Sequence, residues 1–177
     1  MRRILAVSVM SVSLFLVGCV GGQVEEFDGT EPRLVLAEYF AGESRGYGIF
    51  EDRFGKLRRE FVVDVTGTVD GDVLTLDERF VYKDGEEDQR IWTIRKLDDH
   101  TYEGSSPDID GVAVGKSYGN ALTWAYDIDL VIDPETTWRV RFTDWFYLQP
   151  DGVLLNRASV TRFGVEIGTL TLVFLKK

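Results

Sequence analysis

The sequence predicts an all-β protein, an antiparallel up-and-down meander of about eight to ten strands that closes into a barrel. Apolar and polar residues alternate with a period of two over several long runs, which is the pattern of strands that bury one face. Turn signals rich in Gly, Asp and Pro separate the runs at intervals too short for crossover helices. A closed barrel is favoured because closure removes the two edges that an open sheet would expose. The alternative is an open, curved sheet or a sandwich.

Composition favours one folded domain and disfavours several functions. The chain has 177 residues, of which 44% are hydrophobic, and this is enough for a single domain with a sizeable core. A formal net charge of -10 argues against nucleic acid as a partner, because binding to phosphates needs a basic surface. His100 is the only histidine and Cys19 the only cysteine. We therefore expect no metal site, no cofactor and no internal disulfide.

The N-terminus has the layout of a secretory signal. Arg2 and Arg3 precede an apolar run over residues 4–17, which is too short and too abruptly ended for a good membrane span. The following residues, LVGC at 16–19, resemble the lipobox of bacterial lipoproteins. That resemblance implies cleavage before Cys19 and lipidation of its thiol. The lipid would anchor the protein in a membrane, which is therefore an expected partner.

Three segments follow from these features. Residues 1–18 are expected to be the lipoprotein signal peptide, residues 19–32 a lipidated flexible tether rich in Gly, Glu and Asp, and residues 33–177 a single β-barrel domain. Residue 20 is Val rather than Asp. By resemblance to the sorting rule of Gram-negative lipoproteins, this implies anchoring in the outer membrane, with the domain facing the periplasm.

The domain is predicted to begin with one short helix. The segment RLVLAEYFAG, residues 33–42, has a short apolar side formed by Leu34, Ala37 and Phe40 or by Leu34, Leu36 and Tyr39, and Gly42 ends the helix. The chain beyond it reads as strands.

Three runs carry the clearest strand pattern, at residues 72–85, 120–133 and 136–148. The second and third runs form a predicted hairpin that places two aspartates opposite two arginines. These residues are Asp127, Asp129, Arg139 and Arg141. Such pairs on the solvent side stabilise a fold by only about 0–1 kcal/mol, but they indicate the register of the hairpin.

Two acidic side chains interrupt predicted inward faces. Glu78 lies on the apolar face of the first run, and Asp144 lies on that of the third. Because a buried carboxylate needs a partner, we expect Arg157 to pair with them inside the barrel, with Asn156 beside it. This cluster either contacts a ligand or is a buried ion-pair network, unless β-bulges turn these groups outward.

Aromatic residues are spread over the predicted strands, where they either line a ligand cavity or fill the core. A small barrel can enclose one small hydrophobic ligand. The candidate ligand-binding residues are Glu78, Tyr82, Trp92, Trp124, Tyr126, Asp144, Asn156 and Arg157. We see no constellation of acid, base and nucleophile, so no catalytic residue is expected. An isomerase or hydrolase that uses Glu78 or Asp144 is the least favoured reading.

Several stretches together resemble one family of bacterial lipoproteins that is catalogued only as a domain of unknown function. They include LAEYFAGESRGYGIFEDRFGKL at 36–57, WTIRKLDDHTYEG at 92–104 and LLNRASVTRFG at 154–164. The short helix followed by a meander also looks like the calycin or lipocalin architecture. The resemblance implies a Gram-negative envelope lipoprotein without an established activity. It also favours a fatty acid or a modified lipid as the expected ligand. The alternative is a filled barrel that engages an envelope protein.

Overall fold

A computed structural model describes residues 22–133 and 135–177. Among these residues, ten antiparallel strands form one closed barrel in which each strand pairs with its neighbours in sequence and β1 pairs with β10. The strands are β1 (Gly42–Asp52), β2 (Leu57–Asp70), β3 (Val73–Tyr82), β4 (Glu87–Lys96), β5 (Thr101–Ser105), β6 (Ile109–Tyr118), β7 (Ala121–Asp133), β8 (Thr136–Leu148), β9 (Leu154–Arg162) and β10 (Val165–Lys176). The predicted all-β, up-and-down barrel is confirmed.

The hairpin of β7 and β8 has the predicted register. Asp127 pairs with Arg141, and Asp129 pairs with Arg139. The Arg139 Nε atom donates a hydrogen bond to Asp129 Oδ1 at 2.9 Å, and Arg141 Nη1 donates one to Asp127 Oδ2 at 2.9 Å. The alternation of polar and apolar residues therefore fixes which face of each strand points into the barrel.

The helix is shorter than the apolar pattern of the sequence predicts, and it closes one end of the barrel. Helix α1 spans Leu36–Phe40, and Gly42, with a φ of 83°, turns the chain into β1. Tyr39 and Phe40 are buried, and Tyr39 Oη donates a hydrogen bond to the carbonyl of Phe174 at 3.1 Å. We call this the closed end. The turns β2–β3, β4–β5, β6–β7 and β8–β9 lie there, and the other five turns lie at the open end.

A 3-10 turn precedes the helix and packs on the outside of the barrel. It spans Val24–Phe27, and Val24 is buried. The ring centroid of Phe27 lies 6.2 Å from that of Trp145 and 5.7 Å from that of Tyr147. This segment therefore differs from the flexible tether that its composition predicts, because its two apolar side chains find a site on the barrel wall. The predicted signal peptide and Cys19 lie outside the described residues.

The interior of the barrel is packed with apolar side chains from the closed end to the middle. The fully buried members include Leu34, Val63, Val65, Leu122, Ile128, Val140, Leu154 and Val160. Such a continuous core is the main source of stability in a domain without disulfides. None of the helices in the described part of the chain is long and apolar enough to cross a membrane.

Candidate functional site

The open end of the barrel is lined by apolar side chains that are only partly buried. In the described part of the chain, no helix covers this end. The lining residues are Phe50, Phe61, Phe80, Tyr82, Ile109, Leu130, Trp138, Phe142 and Ile167. We call this set the mouth. Seven of the ten strands present these residues, because the inward alternation of each continues past the packed core to the end of the strand.

A group of polar side chains, which we call the polar cluster, extends from the exposed turn between β5 and β6 into the barrel beneath the mouth. It consists of Glu78, Arg90, Asp108, Asp144 and Asn156. Glu78 on β3 pairs directly with Arg90 on β4, and Arg90 Nε donates a hydrogen bond to Asp108 Oδ2 at 2.8 Å. Glu78 and Arg90 keep partial exposure, so this side of the cluster is accessible from the mouth.

The deeper side of the polar cluster contains an unpartnered oxygen. Asp144 and Asn156 are only 4% and 3% exposed. Asn156 Nδ2 donates a hydrogen bond to Asp144 Oδ1 at 3.0 Å, whereas Asp144 Oδ2 is buried without a hydrogen-bond partner. A buried acceptor without a donor costs about 1–3 kcal/mol. Asp144 Oδ2 can therefore still form a hydrogen bond with a ligand or a water molecule.

Burial changes the protonation of both carboxyl groups. Burial raises the pKa of Glu78 to about 7, although Arg90 partly offsets this effect. Burial likewise raises the pKa of Asp144 to about 7, against the hydrogen bond from Asn156. The pKa of Tyr126, a neighbour of both, is raised well above its ordinary value, mainly by burial. Near neutral pH, each of these carboxyl groups is therefore partly protonated and can either donate or accept a proton.

Arg157 does not belong to the polar cluster, and the prediction that it lies inside the barrel is wrong. Arg157 is exposed on the outer wall, whereas Asn156 and Ala158 on either side of it are buried. An inward Arg157 would require Leu155 and Ser159 to face inward as well, whereas the structure buries Leu154, Asn156 and Ala158. The cation beside the two acids is Arg90, which stands opposite Glu78 in the strand register and forms its ion pair with Asp108. Arg90 was missed from the sequence although its signal was present, because Arg90 alternates with the inward-facing Trp92.

The aromatic candidates fall into two groups. Trp92, Trp124 and Tyr126 are 5%, 6% and 7% exposed. The Trp92 ring centroid lies 5.7 Å from that of Trp124 and 5.2 Å from that of Tyr126. These three residues form the floor below the mouth. Tyr82 instead lies at the rim, where the guanidinium of Arg59 is 3.9 Å from the centroid of its ring.

Arg162 is a second residue that the sequence analysis missed. It ends strand β9 at the mouth, and its guanidinium carbon lies 4.4 Å from the ring centroid of Trp138. Its Nε atom is buried without a hydrogen-bond partner. Cation–π contact with an aromatic ring favours the charge but leaves the N–H donors free. Arg162 can therefore donate a hydrogen bond to an anionic or polar group at the mouth.

His100 has a structural environment. Its Nδ1 atom lies 2.8 Å from the carbonyl oxygen of Ser117, and its ring stacks on Tyr118 with a centroid distance of 4.0 Å. Within residues 22–133 and 135–177, no group of three or more His, Cys, Asp and Glu side chains is placed to hold a metal ion.

A groove of about 630 Å³ lies on the barrel wall, close to the open end. Strands β10, β1, β2 and β3 form it mainly with outward-facing side chains, and Phe61 and Tyr82 of the mouth also line it. Its apolar lining residues include Tyr47, Ile49, Val62, Val81 and Val173. Tyr47 pairs in register with both Val62 and Val173, so the groove is a continuous apolar row across neighbouring strands.

The sequence matches the model of one protein family over most of its length. The model of the family described as "Protein of unknown function (DUF3833)" matches residues 13–176. No protein of curated function matches the sequence.

Proposed function

Since the chain belongs to the DUF3833 family, whose function is unknown, we propose that it is an outer-membrane-anchored periplasmic lipoprotein that binds a small hydrophobic ligand at the mouth of its barrel. One observation carries the ligand part of this proposal. Partly exposed aromatic side chains surround a polar cluster that has an unpartnered carboxylate oxygen. A concave apolar site with a few convergent polar groups is typical of small-molecule binding.

The arrangement of polar groups suits a ligand with an apolar body and a small polar head. Arg162 offers a donor at the mouth. Below it, Asp144 Oδ2 offers an acceptor when the carboxyl group is ionised and a donor when it is protonated. A fatty acid or a modified lipid has a head of this kind. The closed end and the floor of Trp92, Trp124 and Tyr126 are packed, so the ligand would occupy the mouth rather than the full length of the barrel.

The expected anchor would hold the barrel close to the membrane. The lipobox-like residues LVGC end at Cys19, and the segment that packs on the wall begins at Val24. Residues 20–23 alone would join the two. Four residues span at most about 14 Å when fully extended. The barrel would therefore lie within a short distance of the lipid headgroups.

Replacing Cys19 with serine is expected to release the protein from the membrane. The thiol would carry the lipid, and its hydroxyl replacement cannot be modified in the same way. The measurement is fractionation of envelopes from cells that express the full chain, together with the mass of the N-terminal peptide. A Cys19→Ser protein that stays in the membrane fraction, or an N-terminal peptide without added lipid mass, would contradict the anchor.

Replacing Trp138 with alanine is expected to weaken binding of a hydrophobic probe about tenfold or more, because a large apolar contact is lost at the mouth. The probe is N-phenyl-1-naphthylamine, followed by its fluorescence, and palmitate and hexadecanol serve as competitors. Arg157→Leu is the matched control, since Arg157 lies on the outer wall, and it is expected to bind as the unsubstituted protein does. Native mass spectrometry of the purified full chain would show any ligand retained from the cell.

Two outcomes count against ligand binding. One is a protein that binds none of these compounds, and the other is an equal loss of affinity in both variants. The alternative is then a filled barrel that engages an envelope protein, which the apolar groove around Tyr47 favours. In that case Tyr47→Ser is expected to abolish cross-linking to an envelope partner.

A further inference from the structure

Two hairpin turns at the open end share the sequence Arg-Phe-Gly. One lies between β1 and β2 at residues 53–55, and the other, at residues 162–164, consists of the last residue of β9 and the two-residue turn before β10. They are neighbours, because the backbone N–H of Arg53 donates a hydrogen bond to the carbonyl of Ile167 at 3.0 Å. We call these two turns the Arg-Phe tips.

Both tips expose a phenylalanine and hold an arginine beside it. Phe54 is 80% exposed and Phe163 is 89% exposed, although burial is the usual fate of a phenyl ring. The guanidinium carbons of Arg53 and Arg162 each lie 4.7 Å from the centroid of the neighbouring Phe ring. The fold gains almost no core packing from either ring, so their repeated exposure indicates a surface that they contact.

The backbone of the second tip strengthens this reading. Phe163 has a φ of 51° and Gly164 a φ of 76°. A two-residue hairpin turn of this kind usually carries Asn-Gly or Asp-Gly, because a bulky side chain is strained at positive φ. The chain keeps a phenylalanine there at a cost in backbone strain, and such strain is typical of functional positions.

The charges at the tips are free to bind an anion. Near the first tip, Arg58 is paired with Asp52 and Arg59 with Glu86. The side chains of Arg53 and Arg162, by contrast, have no carboxylate partner among the described residues. Each tip therefore presents an apolar ring and an available guanidinium side by side.

We propose that the Arg-Phe tips dock the open end of the barrel on a phospholipid surface. Phe54 and Phe163 would enter the boundary between headgroups and acyl chains, while Arg53 and Arg162 contact phosphates. Arg162 also lies against Trp138 of the mouth, so the docked mouth faces the bilayer. This goes beyond the proposed function, because docking requires neither a ligand nor the polar cluster.

The test places a tryptophan at each tip and measures its contact with lipid. The full chain is reconstituted in vesicles of phosphatidylethanolamine and phosphatidylglycerol with brominated acyl chains, which quench nearby tryptophans. Phe54→Trp and Phe163→Trp are expected to add fluorescence that is blue-shifted and lost in the brominated vesicles. The control is Leu97→Trp, an exposed apolar position between β4 and β5 at the closed end, and its added fluorescence is expected to persist.

The lipid expected at Cys19 would attach every variant to the vesicle in the same way, so that differences between variants report the orientation of the barrel. Circular dichroism confirms that each variant is folded. Unquenched tip tryptophans, or equal quenching at position 97, would overturn the docking proposal. Probe binding measured on the double variant Phe54→Ser/Phe163→Ser separates the two proposals, since that variant is expected to bind hexadecanol in solution with unchanged affinity.

Discussion

Replacing Trp124 with alanine is expected to lower the free energy of unfolding by about 3–5 kcal/mol, because the deletion leaves a large cavity in the core. Trp124 is 6% exposed, and its ring lies over two glycines of neighbouring strands. A Cβ atom at Gly104 would lie 2.5 Å from Trp124 Cζ2, and one at Gly115 would lie 2.4 Å from Trp124 Cε3. The measurement is equilibrium unfolding in urea, followed by circular dichroism.

The control for Trp124 is Val114→Ala, an outward-facing position on β6 that is 47% exposed, where a change within about 0.5 kcal/mol is expected. Gly115→Ala alone is expected to destabilise by overpacking, and less so when Trp124 is also alanine. A loss below about 1 kcal/mol for Trp124→Ala would be too small for a core tryptophan. The floor of the mouth would then be an open site rather than part of the packed core.

Asp144→Asn is expected to gain stability relative to the unsubstituted protein as the pH rises from about 4 to 7. The pKa of Asp144 is raised from its ordinary value of 3.8 to about 7 by burial. In the unfolded chain this carboxyl group ionises near its ordinary value, while the folded protein still holds the proton. The folded state therefore binds more protons in this window, and the contribution of Asp144 to stability falls as the pH rises.

The size of this effect follows from the shift, since one pKa unit corresponds to about 1.4 kcal/mol. A relative gain on the order of 3 kcal/mol is expected across the window. Burial also raises the pKa of Glu78 to about 7, so the contribution of Glu78 to stability falls over the same pH range. Because the two carboxyl groups influence each other, the effects of substituting Glu78 and Asp144 are not additive.

Asp129→Asn is the control with the opposite sign. On the outer wall, the hydrogen bond from Arg139 lowers the pKa of Asp129. That carboxyl group contributes stability above its unfolded pKa, and this contribution is lost as the pH falls. Asp129→Asn is therefore expected to lose stability relative to the unsubstituted protein at higher pH. Unfolding measured from about pH 2 to 8 covers the windows of both variants, and a gain for Asp144→Asn that is the same at every pH would contradict the assignment.

The inward faces could be predicted where apolar and polar residues alternate without interruption. Glu78 and Asp144 occupy inward positions because the residues around them leave only one parity. Strand β9 begins with two leucines, Leu154 and Leu155, and either parity then buries one of them. Pairing with β8 and β10 decides between the two, and it turns Arg157 outward. That information lies in distant strands and not in the local pattern.

Other features depended on contacts that no local pattern contains. The 3-10 turn was expected to be tether because Glu and Asp dominate its composition, yet Val24 and Phe27 are enough to fix it on the wall. The exposure of Phe54 and Phe163 could not be predicted either, because the sequence of a turn with Arg, Phe and Gly does not show which way the phenyl ring points. The polar cluster was found in part, since a carboxylate in an apolar run is a local signal.

The pairing of β1 with β10 has a consequence for how the protein reaches its native state. Ser44 pairs with Lys176, and the ladder runs on to Asp52 with Gly168. These contacts join segments more than a hundred residues apart, which raises the contact order and slows folding. Until β10 emerges and docks, β1 is an unprotected edge that can pair with other chains. The last strand therefore sets the moment at which the newly made chain ceases to be vulnerable to aggregation.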